Sequence, residues 1–194
     1  MIYFRHSEMP RKRTSSSPYE PLFYLIAVMW LVEIVNFLLG HRLCRYGILP
    51  RTVHGLAGIP LSPFLHAGVA HLLLNTGPLI VLGGLVLMRG RQAFARCTVF
   101  VTLVGGALLW IVGRPSFHVG ASLLIFGYFG YLLARGVFDR RLPSLLIAIL
   151  VVLAYGGLFW GMWPTAAAIS WEGHLSGFLA GIWAARLPRR NRIP

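Results

Sequence analysis

The sequence predicts an all-α membrane protein, built as a bundle of six membrane-spanning helices. The 194 residues are 57% hydrophobic and only 12% charged, whereas a soluble domain has a charged fraction of about 25%. The apolar residues gather in runs close to the ~20 residues that a helix needs to cross the hydrocarbon core. The basic residues concentrate at alternate loops, as they do in a multi-pass membrane protein.

The six predicted membrane segments follow one another along a single domain. They cover residues 21–40, 69–88, 93–112, 119–135, 143–163 and 166–186, of which the fourth is short and interrupted by glycine. Only the loop between the first two segments is long, over residues 41–68. Its glycines and prolines lie among aliphatic residues, so we expect this loop to fold back onto the bilayer surface or onto the bundle.

The charge distribution predicts the orientation. Fourteen basic residues lie before the first segment, after the sixth, or beside the second and fourth loops between segments, and four lie in the other loops. The positive-inside rule then places both termini in the cytoplasm. We accordingly expect a cytoplasmic basic arm at residues 1–20, a membrane domain at 21–186 and a cytoplasmic basic tail at 187–194. Because topology explains the net charge of +13, we expect membrane lipid and not nucleic acid as a partner.

A serine and a histidine lie inside two of the apolar segments. In the predicted topology Ser122 and His174 both fall in the outer half of the membrane, with His174 about 12 Å deep at ~1.5 Å per residue. Polar groups at that depth are costly and usually functional. Alone, the serine fits a bond to a helix carbonyl and the histidine fits helix packing. Together they offer a nucleophile and a general base.

A second polar pair lies at similar depth on the second segment. His71 and Asn75 are four residues apart and so share one face of a helix. A neutral imidazole and an amide that face one point can stabilise an oxyanion, although the same pair also fits an interhelical hydrogen bond.

Glycines recur on the fourth and sixth segments, where small residues let helix backbones approach closely. They are Gly120, Gly127 and Gly130 on the fourth segment and Gly173, Gly177 and Gly181 on the sixth. Close contact of these segments would bring Ser122 within hydrogen-bond reach of His174, although helix packing alone also accounts for the glycines.

The acidic residues favour a Ser-His dyad over a triad. The nearest acid in sequence, Glu172, lies two residues before His174, roughly 200° around the helix. Two other motifs are absent from the sequence: Leu124 occupies the second glycine position of the G-x-S-x-G elbow, and no H-E-x-x-H occurs. We therefore expect no metal site and no cofactor.

These motifs resemble those of rhomboid intramembrane serine proteases. The similar motifs are His66 before His71-x-x-x-Asn75, Gly120-Ala121-Ser122-x-x-x-Phe126-Gly127, and Gly173-His174-x-x-Gly177-x-x-x-Gly181. The resemblance covers about 165 residues and implies a rhomboid-like bundle of six helices. It implies Ser122 as the nucleophile and His174 as the base. His71, Asn75 and the Ser122 amide would be the oxyanion donors, and Phe126 would lie against the histidine.

Two departures from the family pattern stand out. Leu123 follows the serine where the family usually has glycine, and the long loop lacks the Trp-Arg pair that many members have. We expect Leu123 to crowd the oxyanion region and to alter turnover or substrate choice. Neither change removes a reacting atom, which favours an active enzyme.

The predicted function is that of a serine endopeptidase in the bacterial plasma membrane, cleaving single-span membrane proteins near the outer end of their helix. Two alternatives stay open. One is a rhomboid-like protein that binds transmembrane helices without cleaving them. The other is a small transporter or haem-binding protein that uses its membrane histidines, His66, His71, His118 and His174.

Overall fold

The structure, a computed structural model, describes residues 17–164 and 169–188, and the chain is helical through most of these ranges. The predicted basic arm and basic tail lie mostly outside the described residues, as does the predicted start of the sixth segment. The helices are α1 Glu20–Leu38, α2 Val53–Leu61, α3 Val69–Leu87, α4 Arg91–Val112, α5 Ser122–Phe138, α6 Leu142–Tyr155, α7 Leu158–Gly161 and α8 Trp171–Arg186. The middle of α4, Val101–Gly105, is a π-helical turn.

Three of the described helices, α1, α3 and α4, are long and apolar enough to cross a membrane. Two more, α5 and α6, are apolar but shorter. The all-helical architecture is as predicted. The count of six membrane-spanning helices stays a prediction for the other three.

The long loop between α1 and α3 has helical structure of its own. It holds α2 and two short 3-10 turns, Arg42–Tyr46 and Ser62–Phe64. Thr52 starts α2 because its side-chain oxygen accepts a hydrogen bond from the amide of Gly55 at 3.0 Å. The loop also folds onto the bundle, since Ile48 and His118 exchange two backbone hydrogen bonds, of 3.0 and 2.8 Å.

The closest helix contact is between α5 and α8. A Cβ atom on Gly177 would lie 2.0 Å from the carbonyl oxygen of Leu123, and one on Gly181 would lie 1.9 Å from that of Gly127. Both glycines of α8 therefore let its backbone touch that of α5, as predicted. Gly173 does not serve this contact, because the nearest atom to its Cβ position is the side-chain oxygen of Ser170 on its own chain segment, at 2.7 Å.

Two helix boundaries differ from the predicted ones. Helix α5 begins at Ser122 and not at residue 119, because Gly120 has a φ of +112°, which no helix accommodates. Helix α8 begins at Trp171 and not at residue 166, which puts His174 in its first turn. His174 is therefore only the fourth residue of its helix, and its depth in a membrane stays a prediction.

Candidate active site

One cavity of about 540 Å³ lies where three helices begin. Helix α3 contributes His71 and Asn75 to its wall, α5 contributes Ser122 and Phe126, and α8 contributes His174. Because α3, α5 and α8 all present their N-terminal ends here, residues far apart in sequence meet at one end of the bundle. The predicted nucleophile, the predicted base and the two predicted oxyanion side chains thus share a single cavity.

Ser122 is the first residue of α5 and follows a strained turn. A side chain at Gly120 would lie 2.8 Å from Cε1 and 2.9 Å from Nε2 of His71, so glycine is required there for space as well as for its positive φ. The amide of Gly120 donates to the carbonyl of Ser62 at 2.9 Å, which ties this turn to the long loop. The turn therefore places the backbone just before Ser122 next to the imidazole of His71.

The imidazole of His174 is held on two sides. Its Nδ1 lies 2.8 Å from the carbonyl oxygen of Gly161, and its ring stacks on Phe126 with centroids 4.0 Å apart and planes 7° apart. A carbonyl only accepts hydrogen bonds, so Nδ1 must carry a proton. In the neutral ring Nε2 then holds the free lone pair. Within the described residues, the imidazole of His174 makes no hydrogen bond to Ser122, and its partner is the carbonyl of Gly161.

The imidazole of His71 is held in the opposite tautomer. The amide of Ala67 donates to its Nδ1 at 3.4 Å, so the neutral ring carries its proton on Nε2, the atom nearest to Gly120 after Cε1. Asn75 uses one amide hydrogen on the carbonyl of His71 at 2.8 Å, and its second amide hydrogen stays available. Two N–H donors therefore stand beside the turn that precedes Ser122.

His66 lies behind the cavity, fully buried. The amide of Ala121 donates to its Nε2 at 3.4 Å, and its ring meets that of His71 edge-on with centroids 5.2 Å apart. Burial, and then the neighbouring His71, lower the pKa of His66 to about 4. His66 is therefore neutral at physiological pH and accepts a hydrogen bond from the backbone directly before Ser122.

A polar layer from α1 supports His66. The side chain of Asn36 donates to the carbonyl of His66 at 2.8 Å and accepts from the amide of Leu43 at 3.0 Å. One turn earlier, the buried carboxylate of Glu33 lies 3.1 Å from Nε2 of His41. The sequence could have indicated this polar layer, because Glu33 and Asn36 are three residues apart in an apolar segment and so share a helix face. The sequence does not show which residues they contact.

At the mouth of the cavity, an ion pair and hydrogen bonds join the loop before α5 to the start of α8. Arg114 pairs with the buried Glu172, Nε to Oε1 at 3.2 Å, and also donates to the carbonyl of Ile169. Nδ1 of His118 lies 2.6 Å from the hydroxyl of Ser170. Burial lowers the pKa of His118, so this ring is neutral at physiological pH. The sequence did not point to these pairs, which join residues more than fifty positions apart.

Leu123 does not take the place predicted for it. Its side chain is buried, and its Cδ2 lies 3.2 Å from the Cβ position of Gly105 in the π-helical turn of α4. The residue after Ser122 on a helix points about 100° away from it, so Leu123 packs into the bundle. The expectation that it crowds the oxyanion region was wrong.

Comparison with known proteins agrees with the motifs. A family model, the Rhomboid domain, matches residues 54–191. Rv1337 of Mycobacterium tuberculosis (strain ATCC 25618 / H37Rv), named as an uncharacterized protein, is 36% identical over 200 residues, covering 94% of this chain and 83% of its own. ML1171 of Mycobacterium leprae (strain TN), also named as uncharacterized, is 39% identical over 171 residues, covering 84% and 68%.

A viral protein is similar over a shorter stretch. L523 of Acanthamoeba polyphaga mimivirus, whose name provisionally assigns it to the rhomboids, is 32% identical over 127 residues, covering 62% of this chain and 68% of its own. The Rhomboid model itself spans well over half of the chain, including every residue of the cavity wall named above. The chain therefore belongs to the rhomboid family, the intramembrane proteases and their relatives.

Proposed function

We propose that this chain is an intramembrane serine endopeptidase. It cleaves single-span membrane proteins near the outer end of their transmembrane helix, through a dyad of Ser122 and His174. In this proposal the bundle crosses the bacterial plasma membrane six times, with both termini in the cytoplasm and the cavity open to the outer face.

The observation that carries this proposal is the pair of opposite histidine tautomers at one cavity. Gly161 leaves His174 with a free lone pair on Nε2, as a general base requires. Ala67 leaves His71 with a proton on Nε2, as an oxyanion donor requires. Hydrogen bonds to backbone groups fix the tautomers of both histidines, so neither tautomer depends on an acidic side chain as the third member of a triad.

The chemistry then follows from these positions. As Oγ of Ser122 attacks the scissile carbonyl, Nε2 of His174 takes its proton. The developing oxyanion receives hydrogen bonds from the Ser122 amide, His71 and Asn75. The protonated His174 next gives its proton to the leaving amine, which departs as the peptide bond breaks. Water, deprotonated by the same nitrogen, then hydrolyses the acyl-serine ester and regenerates the enzyme.

Ser122 and His174 have no mutual hydrogen bond in the described chain, and closing this gap is part of the proposed reaction. Catalytic hydrogen bonds are often long in the absence of substrate and tighten in the complex. The stack with Phe126 and the bond to Gly161 support this view because they restrict His174 to the cavity side of α8.

The substrate class follows from the membrane setting. A transmembrane helix protects its peptide bonds, because each carbonyl is already bonded within the helix. A substrate must therefore unwind near the cavity, which favours glycine, proline or small polar residues near the outer end of its helix. Single-span proteins can enter the cavity from the side without unpacking from neighbouring helices of their own.

The missing hydrogen bond between Ser122 and His174 also favours a second candidate. In this alternative the chain is a catalytically impaired rhomboid-like protein that binds transmembrane helices at the same cavity. It predicts retention of a single-span helix without cleavage, and Ser122→Ala would leave that retention unchanged.

One assay separates these functions. The purified full-length protein in detergent is mixed with a single-span model substrate that carries Gly-Pro near its outer end. A matched substrate with leucines at those positions serves as the control. We expect cleavage of the first substrate only, without added metal or ATP, and loss of cleavage in both Ser122→Ala and His174→Ala. Binding without cleavage by the wild type would support the impaired alternative, and cleavage by Ser122→Ala would overturn the dyad.

A further inference from the structure

A second cavity, of about 500 Å³, lies at the opposite end of the bundle from Ser122. Its wall is formed by residues at the C-terminal ends of α3, α5 and α8 and by the first turns of α4. Helix α3 alone, with 19 residues, separates the two cavities by about 28 Å. The second cavity therefore has no direct part in the proposed peptide cleavage.

Four arginines line this cavity: Arg89, Arg91, Arg96 and Arg135. Two carboxylates pair with them. Asp139 binds both Arg89 and Arg135, and Glu20 binds Arg91 at 2.7 Å. Arg96 bonds only to carbonyl oxygens in the described part of the chain, those of Gln92 and Pro188, at 3.4 and 3.2 Å. The described residues thus leave an excess of two positive charges around the cavity.

Asp139 keeps its negative charge between Arg89 and Arg135. Burial alone would raise its pKa, but the hydrogen bonds from Ser144 and Arg89 and the charges of Arg89 and Arg135 outweigh burial, and the pKa lies below its ordinary value. The same carboxylate holds the two guanidinium groups side by side, with Arg135 at 2.9 Å. The arginines are therefore positioned before any ligand arrives.

Topology alone does not account for these arginines. A topology signal needs only to stay in water, as Arg140 and Arg141 would on the cytoplasmic side of the proposed topology, where both are exposed. The side chains of Arg89 and Arg135 are only 15% and 11% exposed. Arg135 also donates to the carbonyl of Ala185 at 3.0 Å, at the end of α8. Partly buried guanidinium groups around a cavity are typical of a binding site for an anion.

We propose that this cavity binds a phosphate group, in the form of an anionic phospholipid headgroup or of a soluble phosphate ester. Guanidinium groups match phosphate oxygens with paired N–H donors, and the excess of positive charge attracts both the single negative charge of a phospholipid phosphodiester and the nearly double charge of a soluble phosphate ester. Basic pockets between helices at the cytoplasmic membrane surface bind anionic headgroups. The wall formed by Ala184, Leu187 and Pro188 provides apolar contact for a glycerol backbone or the start of an acyl chain.

Bound phosphate would connect the start of α4 to the ends of α5 and α8. It would thus stabilise the folded bundle in proportion to its occupancy. We expect saturating phosphatidylglycerol to raise the Tm of the full-length protein in neutral detergent by about 5 °C. Phosphatidylcholine, which has no net charge, is the lipid control.

The decisive variant is Arg96→Gln, because it removes a charge that has no carboxylate partner in the described chain. Arg141→Gln is the matched control, since it removes one exposed charge outside the cavity. We expect phosphatidylglycerol to bind about fivefold more weakly to Arg96→Gln, from the loss of ~1 kcal/mol per arginine. The Arg141→Gln protein should bind as the wild type does.

Parallel titrations with glycerol phosphate and inorganic phosphate identify the source of the phosphate. Stabilisation by the soluble phosphates at millimolar concentration, with weaker binding to Arg96→Gln, supports a soluble ligand. Stabilisation by phosphatidylglycerol only, with weaker binding to the same variant, supports a lipid. If no phosphate compound stabilises the wild type beyond phosphatidylcholine, or if Arg96→Gln and Arg141→Gln respond alike, the proposed site is wrong.

Discussion

The ring of Phe126 stacks on the imidazole of His174, with centroids 4.0 Å apart and planes nearly parallel at 7°. Phe126 lies one turn after Ser122 on α5, so the helix that carries the proposed nucleophile also holds the proposed base in place. Gly161 completes this arrangement from the other side, because a Cβ there would lie 3.0 Å from the Phe126 ring and 3.3 Å from Nδ1 of His174.

Shortening Phe126 should therefore impair catalysis by releasing the base. We expect Phe126→Ala to lower kcat about 10- to 100-fold, because a displacement of about 1 Å at a reacting group costs that much. Phe126→Tyr keeps the stacked ring and should retain most of the activity. Steady-state cleavage of the model substrate measures both variants. Equal rates for Phe126→Ala and the wild type would show that the ring stack does not position the base.

Widening the contact between α5 and α8 should separate the dyad. Gly177→Leu places a side chain where even a Cβ atom would lie 2.0 Å from the carbonyl oxygen of Leu123, so α8 must move. We expect loss of cleavage and a lower Tm. Gly84→Leu on α3 is the control, because nothing lies within 4 Å of its Cβ position. An active Gly177→Leu enzyme would show that close packing of these helices is not needed.

Removing an oxyanion donor should affect the transition state more than the fold. Among the described residues, the side chain of Asn75 makes one hydrogen bond, to a carbonyl of its own helix. Asn75→Ala should therefore change Tm little, while kcat falls on the order of 100- to 1000-fold. The predicted signature is a low kcat with an unchanged Tm. If kcat stays within a few-fold of the wild type, Asn75 does not stabilise the oxyanion.

The stability of the protein should decline between pH 6.5 and 4 through His66. Its pKa is about 4 in the folded protein against an ordinary value of 6.5, so protonation in this range favours the unfolded chain. The contribution is complete above pH 6.5 and is lost as the pH falls through the folded pKa, by up to about 3 kcal/mol. Thermal unfolding of the wild type and of His66→Gln over this range measures it. Identical pH slopes for the two proteins would contradict this role.

Much of the helical pattern could be predicted from the sequence, because apolar runs of about 20 residues rarely occur outside membrane-spanning helices. The convergence of α3, α5 and α8 at one end was implied by alternating loop charges. The start of α8 was misplaced, because hydropathy does not distinguish the apolar residues before Trp171 from those after it. The direction of Leu123 was also missed, since the α5 start at Ser122 depends on the backbone of Gly120.

The contacts that hold the side chains of the site in place could not be predicted from sequence patterns, for a different reason. The Gly161 carbonyl that sets the tautomer of His174 is a backbone atom, and every residue has one. The pairing of Arg114 with Glu172 joins the loop before α5 to the first turn of α8, which only the fold brings together. Side-chain types indicated which residues could react, and the packing of α5 against α8 determined how they are held.

The most direct test of the Ser-His dyad is labelling with a fluorophosphonate probe, in which a reactive serine oxygen displaces fluoride. Peptide mass spectrometry of the labelled full-length protein then locates the adduct. We expect a single adduct on Ser122 in the wild type, and no labelling at that position in His174→Ala, because the hydroxyl is unreactive without its base. Labelling of His174→Ala at the wild-type rate, or an adduct on another serine alone, would contradict the dyad.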